Sequence, residues 1–577
     1  MIRDVGFLSW KQPSAWMESM KGSRWNSMVE KENKRFKDYV KKSATKEELL
    51  QKANDFSQAD KTIFFRYESL LIKPKGSSFE WFHEKDMKQS YTASDIFVDK
   101  NYIYTIRDVG EGSQKYKLEC LHDSKVLWSK ENVGPEMYVK DNVCYYLTAK
   151  KRLWYNSVEC VDSTTGNNTI LIYEELDEKF QLSFVKGENC LFLLRENSGL
   201  QNMFVIDEKK IVYENTKLQY YYPIGYHKKK LCYFYSNGSS WKSKGFSFEE
   251  FEEEIEYFSL KNKLFLLRES GKKTMYNLHF KKLYSFYGDL ILNRFVENPF
   301  TRFFIDFTNS GIQEMNIVDE TVIMNCTDSY ASTKRFFTKN VPIVCAIPCK
   351  IKALLVIAYG AYGLPTSFGT SRWKPYIDDG WLIAFVCVRG SGDVTKRWAE
   401  EGRAYKKENS CIDLEEGIQY IQQKFHISAK NTCIYGRSAG GYLVGATIAR
   451  NPRGNLFKMA YTEVPYVDVL RTTTNPDLPL TTLEYDEFGN PRDGIFQFKK
   501  ILELSPVDLL NPPDIDVLIR VSENDSQVYA YEGYKWLEAL KGRGILYSTK
   551  NKGHFVRDSE NFSEDFFIIN YFRENVE

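Results

Sequence analysis

The chain has no bias of charge, no long apolar run and few histidines. Among its 577 residues, 79 Lys and Arg stand against 77 Asp and Glu, which leaves a formal net charge of +2. No global field therefore draws the protein to nucleic acid or to an anionic membrane. The longest apolar runs, 353–358 and 381–388, are far shorter than the roughly 20 residues that cross a bilayer. We expect neither nucleic acid nor membrane among its partners.

The amino-terminal residues also lack the basic segment and the apolar stretch of a secretory signal. The 11 cysteines are an odd number with no CxxC pair, and none follows Cys433. Such a scatter is typical of reduced thiols in an intracellular protein. Cys345 and Cys349 are close in sequence, but no nearby His or Cys completes a zinc site, so packing is their expected role. We expect a cytoplasmic protein that needs no metal and no cofactor.

The length of the chain and the changes in residue pattern along it predict more than one domain. Residues 1–61 carry Trp and Met at helical spacing and are predicted to form a helical segment that packs on the carboxy-terminal domain. Residues 62–334 contain short aromatic and β-branched runs separated by polar turns, a pattern typical of antiparallel strands. Residues 335–577 alternate buried-looking strands with helical stretches, which predicts an α/β domain with a doubly wound, mainly parallel sheet.

The strand pairs of the middle region recur along the chain. They begin near positions 63, 96, 137, 184, 226, 257 and 295. The mean interval of about 39 residues is close to the length of a four-stranded propeller blade, and a steady period is the signature of a repeat architecture. We predict a compact seven-bladed β-propeller domain, with an irregular β-sandwich as the alternative.

The clearest chemical signal is the motif GRSAGG at 436–441. A buried-looking strand, TCIYG, precedes it, and a helix, AGGYLVGATIAR, follows. This context is typical of a nucleophile elbow, in which small flanking residues permit the strained turn that exposes the serine hydroxyl. Ser438 is therefore predicted to be the nucleophile of an α/β-hydrolase domain, with an ordinary glycine-rich turn as the alternative.

A serine nucleophile needs a base and an acid, which an α/β-hydrolase supplies in the order Ser, Asp or Glu, His. The chain has six histidines, and His554 alone follows Ser438. The best candidate acid is Asp525, in the loop after the strand VLIRVS, with Glu523 as its nearest rival. The acid holds the imidazole tautomer and stabilises the imidazolium. We predict a triad of Ser438, Asp525 and His554.

The oxyanion of the tetrahedral intermediate needs preorganised hydrogen-bond donors. One predicted donor is the backbone N–H of Ala439, directly after the nucleophile. The second should come from the loop after the strand ALLVIA, where the chain has YGAYG at 359–363. The Tyr359 hydroxyl is protonated at neutral pH and can donate. Aromatic packing is the alternative role for these tyrosines.

Further motifs accompany the elbow in the carboxy-terminal region. They are VRGSGD (388–393), VPYVDV (464–469), PLTTLEYDEFGNP (479–491) and NDSQVYAYEGYKW (524–536). Together with GRSAGG and YGAYG, these motifs resemble oligopeptidase B, within the prolyl oligopeptidase family of serine peptidases. The resemblance implies the same triad and the same oxyanion donor, Tyr359. Outside this region, only the order of the domains along the chain resembles the family.

The resemblance also implies a site for a basic P1 side chain. The acid that holds this side chain in the family is similar to Glu484, with a second acid at Asp486, and Tyr362 is a further candidate contact. A guanidinium in a partly buried pocket needs a carboxylate partner. The alternative is that Glu484 and Asp486 are ordinary surface acids. The implied reaction is the acyl-enzyme hydrolysis of short peptides after Arg or Lys, by a monomer or a dimer.

Three features depart from the family pattern. After YGAYG the chain has Leu-Pro-Thr-Ser-Phe (364–368) in place of the acids associated with a basic P2 residue. The interval from Asp525 to His554 is short, and so is the middle region.

Two kinds of function remain as alternatives to a peptidase that cuts after basic residues. One is a prolyl oligopeptidase, an acylaminoacyl peptidase or an esterase of the same fold. The other is a binding scaffold whose propeller recruits a partner and whose site has decayed.

Overall fold

The computed structural model describes most of the chain: residues 2–43, 65–68, 70–75, 78–83, 86–99, 101–110, 112–123, 125–151, 153–293, 295–296, 298–324, 329–508, 512–555 and 561–575. The predicted boundary between residues 61 and 62 lies outside the described residues, as does the predicted start of the first strand at 63. Within the described ranges, no helix is both long and apolar enough to cross a membrane.

The amino-terminal segment combines a short hairpin with one helix. Its elements are β1 (Ile2–Asp4), β2 (Ser9–Lys11), a 3-10 helix (Pro13–Ser19) and α1 (Ser23–Ser43). The helical prediction missed the hairpin because strands of three residues are too short to show a period. On α1, Trp25 and Phe36 are buried in the two cores of the carboxy-terminal domain. The segment therefore packs on that domain.

The middle domain consists of antiparallel sheets of consecutive strands. The first sheet holds β3 (Phe65–Tyr67), β4 (Leu70–Lys75), β5 (Ser78–His83) and β6 (Asp86–Ala93). The second holds β7 (Asp95–Asp99), β8 (Tyr102–Asp108), β9 (Tyr116–His122), β10 (Lys125–Lys140), β11 (Val143–Lys151), β12 (Trp154–Asp162) and β13 (Ile170–Glu174). The third holds β14 (Gln181–Gly187), β15 (Cys190–Asn197), β16 (Leu200–Asp207), β17 (Lys210–His227), β18 (Lys230–Ser236) and β19 (Trp241–Lys244).

Two smaller sheets complete the middle domain. The fourth holds β20 (Glu254–Ser259), β21 (Leu264–Glu269), β22 (Lys272–Asn277) and β23 (Lys282–Phe286). The fifth holds β24 (Gly288–Ile291), β25 (Phe303–Phe307), β26 (Gly311–Val318) and β27 (Thr321–Met324). Apolar side chains of neighbouring sheets pack against one another, so that the cores of this domain lie between the sheets.

The predicted count of seven separate blades is wrong, because the described strands of this domain form five hydrogen-bonded sheets. The physical reason is the length of β10 and β17, which have 16 and 18 residues. The first part of β10 pairs with β9 and the second part with β11, and β17 pairs in the same way with β16 and β18. Each long strand therefore joins two units that the spacing presents as separate.

The carboxy-terminal domain is built on one sheet of eight strands. They are β28 (Ser332–Thr338), β29 (Val341–Ile347), β30 (Ala353–Ile357), β31 (Trp381–Val386), β32 (Thr432–Arg437), β33 (Met459–Glu463), β34 (Asp516–Ser522) and β35 (Gly544–Thr549). The spatial order is β28-β29-β31-β30-β32-β33-β34-β35. The six strands from β30 to β35 are parallel, as predicted, whereas β28 and β29 pair antiparallel. Strand β28 begins before the predicted boundary at residue 335.

Helices cover both faces of this sheet, which explains the continuous apolar runs of its central strands. The helices are α2 (Lys374–Asp378), α3 (Lys396–Glu400), α4 (Glu408–Phe425), α5 (Ala439–Arg450), α6 (Val469–Thr474), α7 (Thr481–Phe488), α8 (Ile495–Glu503), α9 (Ala530–Ala539) and α10 (Asn561–Asn575). Along β30, Leu354 and Val356 enter one core, while Leu355 and Ile357 enter the other. The alternation follows from the two-residue period of a strand.

The carboxyl ends of the parallel strands place the predicted catalytic residues at one edge of the sheet. Tyr359 follows β30, Ser438 follows β32, Asp525 follows β34 and His554 follows β35. Parallel strands point the same way, so the loops after them meet at the same edge, where α/β sheets bind their ligands.

Candidate active site

The turn at Ser438 is strained. Its backbone has φ 54° and ψ −119°, a combination that residues with a side chain rarely adopt. A Cβ on Gly436 would lie 2.0 Å from the carbonyl oxygen of Gly440, and one on Gly441 would lie 2.5 Å from the Cβ of Pro465. The glycines at these two positions therefore allow the backbone contacts that hold the turn.

The predicted triad residues lie within hydrogen-bond distance of one another. His554 Nε2 is 3.0 Å from Ser438 Oγ, and His554 Nδ1 is 2.7 Å from Asp525 Oδ2. The Asp525 and His554 side chains are both buried. The other carboxylate oxygen of Asp525 accepts the backbone N–H groups of Gln527 and Val528, each at 2.9 Å. The acid is thereby oriented toward the imidazole.

Glu523, the rival acid, lies elsewhere. Its carboxylate accepts a hydrogen bond from Ser548 Oγ at 3.1 Å. Both residues belong to the region where β34 and β35 end, and Glu523 N–H donates to the carbonyl oxygen of Thr549. The structure therefore brings Asp525, and not Glu523, to His554.

Two candidate donors border Ser438. Ala439 begins α5, so its N–H belongs to the first turn, where backbone N–H groups lack partners within the helix. The ring of Tyr359 also borders the elbow, since a Cβ on Gly440 would lie 3.4 Å from its Cδ2. Burial, with the charges of Glu484 and Glu487, raises the pKa of Tyr359 above its usual value. The phenol therefore stays protonated and remains a donor.

Glu484 and Tyr362 meet beside this site. The Tyr362 hydroxyl donates to Glu484 Oε2 at 2.9 Å. Burial and the nearby charge of Glu487 raise the pKa of the Glu484 carboxyl to about 8, although the Tyr362 hydrogen bond and Lys407 act in the opposite direction. A carboxyl with this pKa is mainly neutral at pH 7 until a cation enters its surroundings.

Aromatic rings form one wall beside Glu484. The Phe488 ring lies 6.0 Å from Tyr362, 5.2 Å from Tyr442 and 4.8 Å from Tyr466, measured between ring centroids. Such rings suit the aliphatic stem of a long side chain. The sequence did not predict this wall, although Tyr466 and Phe488 stand within the motifs VPYVDV and PLTTLEYDEFGNP.

Asp486 does not join Glu484. The two residues are two positions apart on α7, and such residues do not face each other on a helix. Asp486 is exposed, and its Oδ2 accepts a hydrogen bond from Ser198 Oγ of the middle domain at 2.9 Å. The buried acid nearest in sequence is Glu487, which forms ion pairs with Lys407 and Arg403. No sequence pattern indicated this residue.

The middle domain contacts the loops that carry Asp525 and His554. The side-chain oxygen of Gln114 accepts hydrogen bonds from Ser526 Oγ and Gln527 Nε2, both at 3.0 Å. The backbone of Gly112 lies so close to the His554 loop that a Cβ on Gly112 would be 2.4 Å from Gly553 N. One turn of the middle domain therefore packs against both loops.

Part of the carboxy-terminal domain matches a known protein family, and part of the chain is similar to curated proteins. Residues 366–576 match the model of the prolyl oligopeptidase family. A prolyl endopeptidase-like protein of Rattus norvegicus is 36% identical over 193 residues, which are 33% of this chain and 26% of that protein. Protease 2 of Moraxella lacunata is 33% identical over 215 residues, which are 35% of this chain and 30% of that protein. The alignments therefore span less than a third of these curated relatives.

Solved structures are similar over the whole chain. Oligopeptidase B from Leishmania major superposes with a TM-score of 0.80 at 17% identity, covering 99% of this chain and 95% of the other. A prolyl endopeptidase structure superposes with a TM-score of 0.82 at 16% identity, covering 100% of this chain and 99% of the other. These neighbours share the fold, with its propeller-like middle domain. The match to the prolyl oligopeptidase family therefore covers residues 366–576, and the structural neighbours show that the fold extends over the whole chain.

Proposed function

We propose that this chain is a serine peptidase that hydrolyses short peptides after Arg or Lys. The observation that supports hydrolysis is the run of contacts from Asp525 through His554 to Ser438, at 2.7 Å and 3.0 Å. The observation that supports the specificity is the carboxyl of Glu484 beside an aromatic wall. Short peptides are the proposed partners, while a cytoplasmic location and a monomer or dimer stay predictions.

The proposed mechanism follows from the positions of the three side chains. Ser438 Oγ attacks the peptide carbonyl carbon while His554 Nε2 takes its proton, and Asp525 stabilises the imidazolium that forms. The Ala439 N–H and the Tyr359 hydroxyl donate to the oxyanion. The imidazolium then protonates the leaving amine. Water, deprotonated by His554, hydrolyses the acyl-enzyme and regenerates Ser438.

The proposed P1 site uses the carboxyl and the rings together. An Arg or Lys stem would lie along the wall of Phe488, Tyr442 and Tyr466, with its cationic head at Glu484. Removing a proton from Glu484 costs free energy in the empty pocket, because burial disfavours the charge. A guanidinium offsets this cost by forming charge-assisted hydrogen bonds with the carboxylate. A proline or apolar side chain offers no such compensation.

A peptide library tests this function. The full chain is incubated with mixed peptides, and the new termini are read by mass spectrometry. Cuts after Arg and Lys are expected. Cuts after proline or apolar residues would favour a prolyl or acylaminoacyl peptidase of the same fold, while hydrolysis of esters alone would favour an esterase. A fluorophosphonate probe should label Ser438, and failure to label the folded protein would favour a binding scaffold.

A further inference from the structure

Arg437, the residue before the nucleophile, contacts the loop that carries the proposed base. Its Nη2 donates a hydrogen bond to the backbone carbonyl oxygen of His554. Arg437 ends β32, whereas His554 lies in the loop after β35. This one side chain therefore connects the elbow to the backbone of the base. The proposed chemistry above gives Arg437 no role.

The guanidinium of Arg437 is itself held on the sheet side. Its Nε lies 3.7 Å from Glu463 Oε2, and the two residues are neighbours in the register of β32 and β33. Glu463 also accepts hydrogen bonds from the hydroxyls of Tyr435 at 2.9 Å and Tyr461 at 2.7 Å. A carboxylate with this many partners has a fixed position. Arg437 is thus anchored to the sheet at one end and to His554 at the other.

The position of the His554 ring depends on the backbone of the loop that carries it. The strand before it ends at Thr549, and the Asn524 N–H donates to the carbonyl oxygen of Lys552 at 3.0 Å. Proton transfer requires His554 Nε2 to stay within hydrogen-bond distance of Ser438 Oγ. A misplacement of about 1 Å can cost roughly 100-fold in rate. A charge-assisted bond at the His554 carbonyl restrains that movement.

We propose that Arg437 is a positioning residue that holds the backbone of His554 so that Nε2 stays aligned with Ser438 Oγ. The inference rests on the proposed role of the triad but not on the proposed specificity. It requires the two contacts of a guanidinium, one to Glu463 and one to the His554 carbonyl. A lysine side chain is shorter and has a single cationic nitrogen, so it can replace these two contacts only in part.

The test compares Arg437→Met and Arg437→Lys with wild type, using a fluorogenic arginyl amide and the labelling rate of a fluorophosphonate probe. For Arg437→Met, we expect kcat to fall about 10- to 100-fold, while KM changes less than about threefold. Labelling should slow in parallel, because it also needs His554 to take the proton of Ser438. Arg437→Lys should recover part of the loss, with kcat about 3- to 10-fold below wild type.

Arg450→Met is the matched control, because Arg450 also forms two ion pairs, with Glu408 and Glu415, but at the far end of α5. It should lower the melting temperature and leave kcat unchanged. Wild-type kcat in Arg437→Met would overturn the inference, as would a rise in KM at constant kcat, which would make Arg437 a substrate contact. If Arg437→Met does not fold, wild-type kcat in Arg437→Lys overturns it.

The result for Arg437 can be told apart from the result for the proposed specificity. If wild type reacts with the fluorophosphonate but does not cleave arginyl amides, the specificity is wrong, and the labelling rates of the two variants still decide the role of Arg437. A wild-type chain that the probe does not label would contradict the proposed function and this inference together.

Discussion

At the scale of the residue, the proposed specificity depends on the carboxyl of Glu484. Its carboxyl accepts a hydrogen bond from Tyr362 and lies beside the Phe488 wall, and burial raises its pKa to about 8. Without a bound cation, this carboxyl is therefore mainly neutral at pH 7. In the proposed P1 site, a cationic side chain would have to draw out this proton as it binds, whereas a neutral side chain would meet an uncharged carboxyl.

Glu484→Gln should weaken the binding of arginyl substrates strongly. The amide keeps the shape of the carboxyl but cannot pair with a guanidinium, so the cation would enter a partly buried site without a counter-charge. We expect KM for an arginyl amide to rise by on the order of 100-fold. The citrullyl analogue, which has nearly the same shape and no charge, should lose little. An unchanged KM for the arginyl amide would contradict the proposed P1 site at Glu484.

The raised pKa of Glu484 also predicts a pH dependence with a definite sign. In the proposed P1 site the charged form of Glu484 would bind the cation, and without a cation this form becomes the major one only as pH rises through about 8. The ratio of kcat/KM for arginyl over citrullyl substrates should therefore increase from pH 6 to pH 9. Taking the ratio cancels every effect of pH that is common to both substrates. A flat ratio would show that Glu484 does not titrate on binding.

The sequence carried enough signal for some site residues and too little for others. The order Ser, Asp, His and the small number of histidines were sufficient to bring Ser438, Asp525 and His554 together. Asp486 was misplaced because a motif does not show which way a helix turns its side chains. Arg437 and Glu487 were missed because their partners lie far away along the chain, and ion pairs of this kind leave no local pattern.

At the scale of the element, the elbow between β32 and α5 has little room for change. A Cβ on Gly436 would lie 2.0 Å from the carbonyl oxygen of Gly440, which is backbone and cannot turn aside. Gly445, further along α5, is also crowded, but there a Cβ would meet the ring of Pro506 at 2.6 Å, away from Ser438. Substitutions at Gly436 and Gly445 can therefore separate an effect on activity from an effect on stability.

Gly436→Ala should abolish most of the fluorophosphonate labelling. The substitution pushes the elbow open, so we expect at least about 100-fold slower labelling, together with about 1–3 kcal/mol of lost stability. Gly445→Ala should lose a similar amount of stability and keep the labelling rate of the folded protein. Thermal melts and labelling rates measure the two effects. Equal labelling of Gly436→Ala and wild type would show that the elbow tolerates the methyl group.

Element boundaries show where sequence patterns are informative. Helix α5 was predicted with the bounds that the structure has, because the elbow motif marks its start at Ala439 and Asn451 follows a clear apolar helix. The long strands β10 and β17 were not predicted. Each contains a proline and a glycine, Gly134-Pro135 and Pro223 with Gly225, and such residues usually mark turns. In the structure, irregularities in pairing absorb them, and the strand continues.

At the scale of the whole molecule, the middle domain helps to shape the edge of the candidate active site. Gly112 packs against Gly553, and Gln114 bonds to Ser526 and Gln527, so that a single turn contacts the neighbours of both Asp525 and His554. The relative position of the two domains should therefore influence the geometry of the triad.

Gly112→Ala tests this coupling. The new methyl group would lie 2.4 Å from Gly553 N and should displace the His554 loop, which we expect to lower kcat by about 10-fold or more. Gly22→Ala is the matched control, since Gly22 has φ +89° against +90° for Gly112 but no atom within 4 Å of a Cβ. Steady-state kinetics of both variants separate the clash from the backbone strain. A wild-type kcat in Gly112→Ala would show that the triad is independent of this turn.

The two long strands have a consequence for how the middle domain comes apart. In an array of separate units, each unit can open by itself, because it contacts only its neighbours. Strand β10 belongs to two ladders at once, and so does β17. Loss of one ladder therefore frees the end of the strand on which the next ladder is built. The domain should unfold in blocks, with 95–174 and 181–244 as its larger cooperative pieces and the four-stranded sheets as its smaller ones.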